Sequence, residues 1–121
     1  MVTFLAVALA TIAPYIIDGD TIVIAREHIR IANIDAPETR HAKCDAELRL
    51  GLAAKHRLEI LLAAGDIETH LAYPNRPRDR YGRTLATVTV DGEDVGEILI
   101  SEGLARRWDG RRHPWCDPLK R

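Results

Sequence analysis

The chain has 121 residues and a mass of 13.5 kDa, room for one domain of ordinary size and not for two. Apolar residues make up 46% of it and charged residues 29%, which excludes wholesale disorder, collagen and coiled coil and leaves a globular domain with its own core. The formal charge of −1 rules out an overall basic field that would hold nucleic acid non-specifically, yet residues 1–75 carry seven basic and ten acidic side chains whereas residues 76–121 carry ten and eight.

Residues 1–13 have no charged side chain and contain the apolar run Phe4 to Ala10. This run reads either as the apolar region of an export signal or as a first strand; it is too short for a membrane span, which needs about 18 residues. Residues 21–24 and 28–34 are β-rich, with a turn at Arg26-Glu27, and His28 to Ile31 alternate polar and apolar as a half-buried strand requires. Between Asp45 and Ala64, Leu50, Ala54, Leu58, Leu61 and Leu62 recur at helical spacing before Gly65 supplies a stop. Further strands are expected at 66–72 and 84–90, the latter ending in the turn Asp91-Gly92. A shorter helix starts at Asp94, which caps it, presents Val95, Ile98 and Leu99 inward and stops at Gly103. Residues 108–121 are too rich in Gly, Pro and Arg for a regular element. Short antiparallel strands with intervening helices predict a small barrel carrying helices on its outside.

Four short segments place charge beside turns or strand ends: Ile17-Asp18-Gly19-Asp20-Thr21, Ile29-Arg30-Ile31, Ile34-Asp35-Ala36-Pro37-Glu38 and Asp79-Arg80-Tyr81-Gly82-Arg83. Taken singly each has a plain explanation. Asp-Gly-Asp marks a tight turn in which Gly takes a backbone angle that other residues avoid. Arg30 is a solvated residue on the open strand face, and Arg83 pairs with Asp79 at the surface. Taken together, Asp20, Asp35, Glu38, Arg30 and Arg83 are three carboxylates and two guanidinium groups, a set suited to a hard cation and a phosphate. A phosphodiester repels hydroxide, so its hydrolysis needs a cation, donors for the added negative charge and a base for water.

In this order and spacing the segments, followed by Gly103-Leu104-Ala105, resemble the staphylococcal nuclease family, the thermonucleases, over about residues 15–104. The resemblance implies an α+β, mainly β domain over residues 1–121: an OB-fold five-stranded β-barrel with two to three packed α-helices. It implies a Ca²⁺-dependent endonuclease that hydrolyses phosphodiester bonds of DNA or RNA on the 5′-oxygen side, leaving 3′-phosphate ends. Carried over by position, Asp20 and Asp35 are the Ca²⁺ carboxylates and Ala36 offers its backbone carbonyl where the prototype has Thr. Glu38 activates or orients the attacking water, Arg30 and Arg83 bind the scissile phosphate and its transition state, and Tyr81 and Arg80 lie near the nucleotide.

The chain departs from a strongly basic prototype, so single-stranded or flexible substrates are expected rather than long duplexes, bound by a monomer. Among six aromatic residues Trp108 falls near a base-contacting position of the prototype, but both tryptophans, Trp108 and Trp115, are assigned to core or tail packing. The rival function is a non-catalytic OB-fold module that binds nucleic acid. The two cysteines, Cys44 and Cys116, form one disulfide if the protein is secreted or periplasmic and stay thiols in the cytoplasm. The pair of His-x-x-Cys spacings, His41 with Cys44 and His113 with Cys116, offers a third reading as zinc ligands.

Overall fold

A computed structural model describes residues 13–117. Three short strands rich in isoleucine open it: β1 (Tyr15–Asp18), β2 (Thr21–Ile24) and β3 (Glu27–Ile31), paired antiparallel in sequence order. The turn between β2 and β3 is Ala25-Arg26, both with positive φ (49° and 69°), as a two-residue hairpin matching the strand twist demands. It lies one residue earlier than the sequence suggests, and Glu27 already belongs to β3. The predicted long strand at 28–34 is broken by a turn at Ala32-Asn33, so that Ile34–Asp35 form a separate strand β4.

Helix α1 (Asp45–Ala63) follows, then β5 (Ile67–Leu71) and β6 (Thr84–Val90), whose burial alternates residue by residue. The hairpin at Asp91-Gly92 returns into β7 (Glu93–Asp94), α2 (Val95–Ser101) and finally β8 (Arg106–Arg107). The main sheet runs β1-β2-β3-β6-β5, with β3 and β6 parallel and β7 attached to β6; β4 and β8 form a second, two-stranded sheet. The α+β class and the two helices are those expected. The barrel is not closed: β1 and β5 stand at opposite ends of the sheet, and β1, its ladder shifted between Ile16 and Asp18, packs on α1 instead of pairing with β5.

The core is one cluster in which Ile22, Ile31, Ile34, Leu58, Val88, Val95 and Leu99 are fully enclosed. Helix α2 is capped by Asp94, whose carboxylate accepts the Glu97 N–H at 3.0 Å. The buried stripe of α1 is Glu47, Gly51, Ala54, Leu58 and Leu62, with Leu50 and Leu61 at its margins. Its C-terminal half is apolar and faces the core, whereas its N-terminal half is small or acidic where the turn at Gly19 and the loop at Glu38 pack against it. A disulfide joins Cys44, the N-cap of α1, to Cys116 with a Cα–Cα separation of 6.1 Å. Closing a chain of 72 residues this way stabilises the fold by about 4 kcal/mol in the chain-entropy picture. No thiolate is left for zinc, which removes the His41/Cys44/His113/Cys116 metal reading. The apolar run at 4–10 lies outside the described residues, among which no helix is long and apolar enough to cross a membrane.

Candidate metal and phosphate site

Asp20 leaves the β1–β2 turn and is buried, at 5% exposure. Its Oδ1 accepts the Thr21 hydroxyl at 3.0 Å, and its Oδ2 accepts the Ala36 N–H at 2.8 Å and faces Arg30 Nη2 at 3.7 Å. That N–H ties the first carboxylate to the loop after β4, which carries the second, Asp35, at 4% exposure. Burial, and next the charge of Asp20, raise the Asp35 pKa above its ordinary value; Arg112 and Arg30 pull it back, and Glu38 pushes it up again. Asp20, Arg30, Asp35, Glu38 and Arg112 therefore interact electrostatically around one point. Arg30 is not the solvated residue that strand alternation predicts. The turn after β3 folds over it, and its Nη1 donates to the carbonyls of Ile31 and Ile34 while its guanidinium lies 5.6 Å from the centre of the Trp108 ring.

The glycine of Asp18-Gly19-Asp20 serves packing rather than a special backbone angle. A Cβ there would stand 2.9 Å from the Ala54 Cβ and 3.0 Å from the Ala36 Cβ, so the turn, the site loop and α1 meet where three small residues allow it. One turn earlier on α1, a Cβ on Gly51 would come within 2.4 Å of the Glu38 carbonyl oxygen. Glu47, buried on the same stripe, accepts the Glu38 N–H through Oε2 and the Lys43 N–H through Oε1, each at 3.0 Å. Asp18 accepts the N–H of Thr39 at 3.1 Å and its hydroxyl. The loop bearing Glu38 is thus pinned on both sides by carboxylates that the sequence reading did not assign. For Glu47 a signal existed: an acidic residue in helical register with Gly51, Ala54, Leu58 and Leu62 stands on the inward face.

Asp79 organises the second arm of the site. Its Oδ1 accepts the N–H groups of Tyr81 and Arg83, each at 2.9 Å, and its Oδ2 accepts Arg83 Nε at 2.7 Å, around a turn in which Gly82 has φ +80°. Burial alone would raise its pKa, but the hydrogen bonds from the Arg83 backbone and guanidinium outweigh burial and hold it below the ordinary value. Tyr81 is 68% exposed, with the guanidinium of Arg80 at 4.9 Å and that of Arg83 at 5.4 Å from its ring centre. Arg30, Arg83, Tyr81, Arg80, Trp108 and Arg112 line one open groove of about 810 Å³. Asp35, Glu38 and Arg112 line a second of about 440 Å³, so Arg112 stands where the two meet.

Although Glu38 and Arg83 stand 45 residues apart in the chain, Asp35 and Glu38 line one groove and Arg30 and Arg83 the adjoining one. Trp108 is not confined to tail packing, since its half-buried ring forms groove wall beside Arg30. Arg112, which in sequence belongs only to a basic cluster with Arg106, Arg107 and Arg111, pairs with Glu38. A group of three or more His, Cys, Asp or Glu side chains placed to hold a metal is absent among the described residues. The acidic pair Asp20 and Asp35 is what the site offers a cation, supplemented by backbone carbonyls and solvent.

A sequence profile described as staphylococcal nuclease homologue matches residues 28–116. Endonuclease YncB of Bacillus subtilis (strain 168) is 38% identical over 94 residues, 74% of this chain and 44% of that protein. A thermonuclease of Staphylococcus intermedius is 37% identical over 95 residues, 75% and 55% of the two chains, and succinoglycan biosynthesis protein ExoI of Rhizobium meliloti (strain 1021) is 38% identical over 94 residues, 74% and 48%. The chain spans about half the length of these curated relatives.

Proposed function

The chain belongs to the staphylococcal nuclease family, and on that premise we propose that it is a divalent-cation-dependent nuclease acting on DNA or RNA, with Ca²⁺ as its ion. The observation that carries this reading is the juxtaposition of two buried, mutually repelling aspartates, Asp20 and Asp35, with Glu38 and three guanidinium groups on adjoining grooves. The donor set fits a hard cation. The repulsion of Asp35 by Asp20 is what a bound positive ion would relieve. Asp20, Asp35 and the carbonyl of Ala36 would hold the ion. Once bound, such an ion neutralises charge on a phosphate and makes its phosphorus easier to attack.

The remaining steps fall to the protein's own side chains. Arg30 and Arg83 would donate to the phosphate oxygens, most strongly as charge accumulates in the transition state. Glu38, its loop pinned by Glu47, accepts the proton of the attacking water, and expulsion of the 5′ oxygen leaves a 3′-phosphate. Tyr81 and Arg80 offer a stacked, exposed surface to a base, which favours single-stranded or flexible regions bound by a monomer. The export route and a secreted or periplasmic location fit the disulfide.

Incubation of the purified protein with denatured DNA and with RNA, with Ca²⁺ or with chelator, tests this directly. Cleavage should require the ion and yield 3′-phosphate ends. Cleavage unaffected by chelator would remove the assigned role of Asp20 and Asp35, and binding without cleavage under any divalent ion would leave the non-catalytic module. Glu38→Gln should lower turnover about 10²- to 10⁴-fold while nucleotide binding survives; a near-normal rate would take Glu38 out of the reaction.

A further inference from the structure

Arg112 lies in an irregular segment, yet it pairs with Glu38 through Oε1 and borders both grooves. Its side chain is 59% exposed, and an exposed ion pair contributes too little to hold an irregular segment in place by itself. The segment is fixed by other means. Arg106 lies 3.8 Å from the centre of the Trp115 ring and donates to the carbonyls of His113 and Pro114 at 3.2 and 3.0 Å, and His113 pairs with Asp109 at 2.7 Å. Four residues beyond Arg112, Cys116 is bonded to Cys44, the N-cap of the helix whose Glu47 accepts the Glu38 N–H. Arg112 and Glu38 thus approach each other from two segments anchored on one helix terminus.

We infer that Arg112 is a positioning residue that aims the Glu38 carboxylate into the groove, and that the Cys44–Cys116 bridge holds it there, making the site sensitive to reduction. The inference rests on the nuclease reading above. Arg112 engages Oε1 and leaves Oε2 for a water proton, while the charge of Arg112 offsets that of Asp35 and Asp20 behind it. When a dithiol reductant opens the bridge, the S–S bond breaks, two thiols form with two electrons and two protons, and the dithiol becomes a disulfide. The tail then loses its tie to α1, and the carboxylate its orientation.

The test compares wild type, Arg112→Gln and Arg112→Lys on single-stranded DNA with Ca²⁺, each oxidised and after treatment with dithiothreitol. Arg112→Gln should lower kcat about 10- to 100-fold with KM nearly constant, the scale of a misaligned group, and Arg112→Lys should recover part of the loss. Reduction should lower the wild-type kcat by a similar factor and leave Arg112→Gln almost unchanged, because both act through one contact. Arg112→Gln keeps the bridge, so its loss in the oxidised protein is read without any loosening of the fold. An unchanged kcat in Arg112→Gln, a Lys variant no better than Gln, or equal loss on reduction in both proteins overturns the inference. Should oxidised wild type cleave nothing, the nuclease reading fails first, and the Glu38 carboxyl ¹³C resonance decides the coupling: it should shift alike on Arg112→Gln and on reduction, and an unmoved resonance overturns it.

Discussion

Arg30 and Arg83 line the same groove but are built in opposite ways. Arg30, 7% exposed, spends its guanidinium on two backbone carbonyls and on Asp20, so the β3–β4 turn is assembled around it. Arg83 sits at the end of an exposed loop, its guanidinium held by Asp79 four residues away and its side chain 25% exposed. One arm of the site is therefore part of the fold, set when the sheet forms, while the other is a local turn that the fold scarcely needs. A buried arginine of this kind reports stability and activity together; a half-buried one held by a local turn reports mainly activity.

The largest expected effect breaks that contrast if it is absent. Arg30→Ala leaves the Ile31 and Ile34 carbonyls without this donor and the buried Asp20 without its ion-pair partner, and should cost about 3–5 kcal/mol of stability. Arg83→Ala should cost no more than about 1 kcal/mol and still slow cleavage roughly 10²- to 10³-fold. Urea unfolding of the two variants beside wild type decides it, and equal midpoints would mean that burial does not separate the two arms. Arg30→Lys should remain well below wild type, since an ammonium cannot reproduce the planar fork.

Next in size is Gly51→Ala, where two effects of opposite sign compete. In an exposed helix interior the change would stabilise by about 1 kcal/mol. Here the new Cβ meets the Glu38 carbonyl at 2.4 Å, backbone that cannot swing aside, and steric overpacking of this sort costs about 1–3 kcal/mol. The variant should melt lower than wild type and turn over more slowly, because α1 must retreat from the loop carrying Glu38. A rise in melting temperature would show that the loop yields freely and that α1 does not position it.

These two sites also mark how far the sequence could be read. The strands at 21–24, 66–72 and 84–90, the helix at 45–64 and the cap at Asp94 follow from local pattern, and their boundaries fall within a residue or two of those observed, whereas the strand expected at 28–34 stops at Ile31. The five charged site residues were visible as motifs, because Asp20, Asp35 and Glu38 stand beside turns whose chemistry is local. What stayed hidden depends on contacts between distant segments. Arg30 obeys strand alternation yet is buried by a later turn, Gly19 and Gly51 are small for the sake of neighbours 35 and 13 residues away in the chain, and Arg112 gains meaning only once Cys116 is tied to Cys44. The short strands β1 and β8 carry too few residues for a periodicity, and openness of the sheet is decided by β1 docking on α1 rather than by any pattern within β1.

The smallest effect sharpens the comparison through pH, because the two arms carry carboxylates shifted in opposite directions. Asp35 is raised by burial and by Asp20. Its folded pKa exceeds the unfolded one, so its contribution is present at low pH and is lost as pH rises through the folded value; at neutral pH the ionised group opposes the metal-free fold. Asp79 is lowered, burial being outweighed by Arg83, so its contribution is present above the ordinary value and is lost as pH falls through the depressed one. In chelator, Asp35→Asn should therefore melt above wild type at pH 7 and converge with it near pH 4, whereas Asp79→Asn should melt slightly below wild type at pH 7 and converge on acidification. Added Ca²⁺ should stabilise wild type, by about 2.7 kcal/mol at a hundredfold excess over its Kd, and so raise its melting temperature while leaving that of Asp35→Asn unmoved. Melting curves from pH 4 to 8 read both signs at once, and two variants moving in the same direction would mean that the two arms do not differ electrostatically.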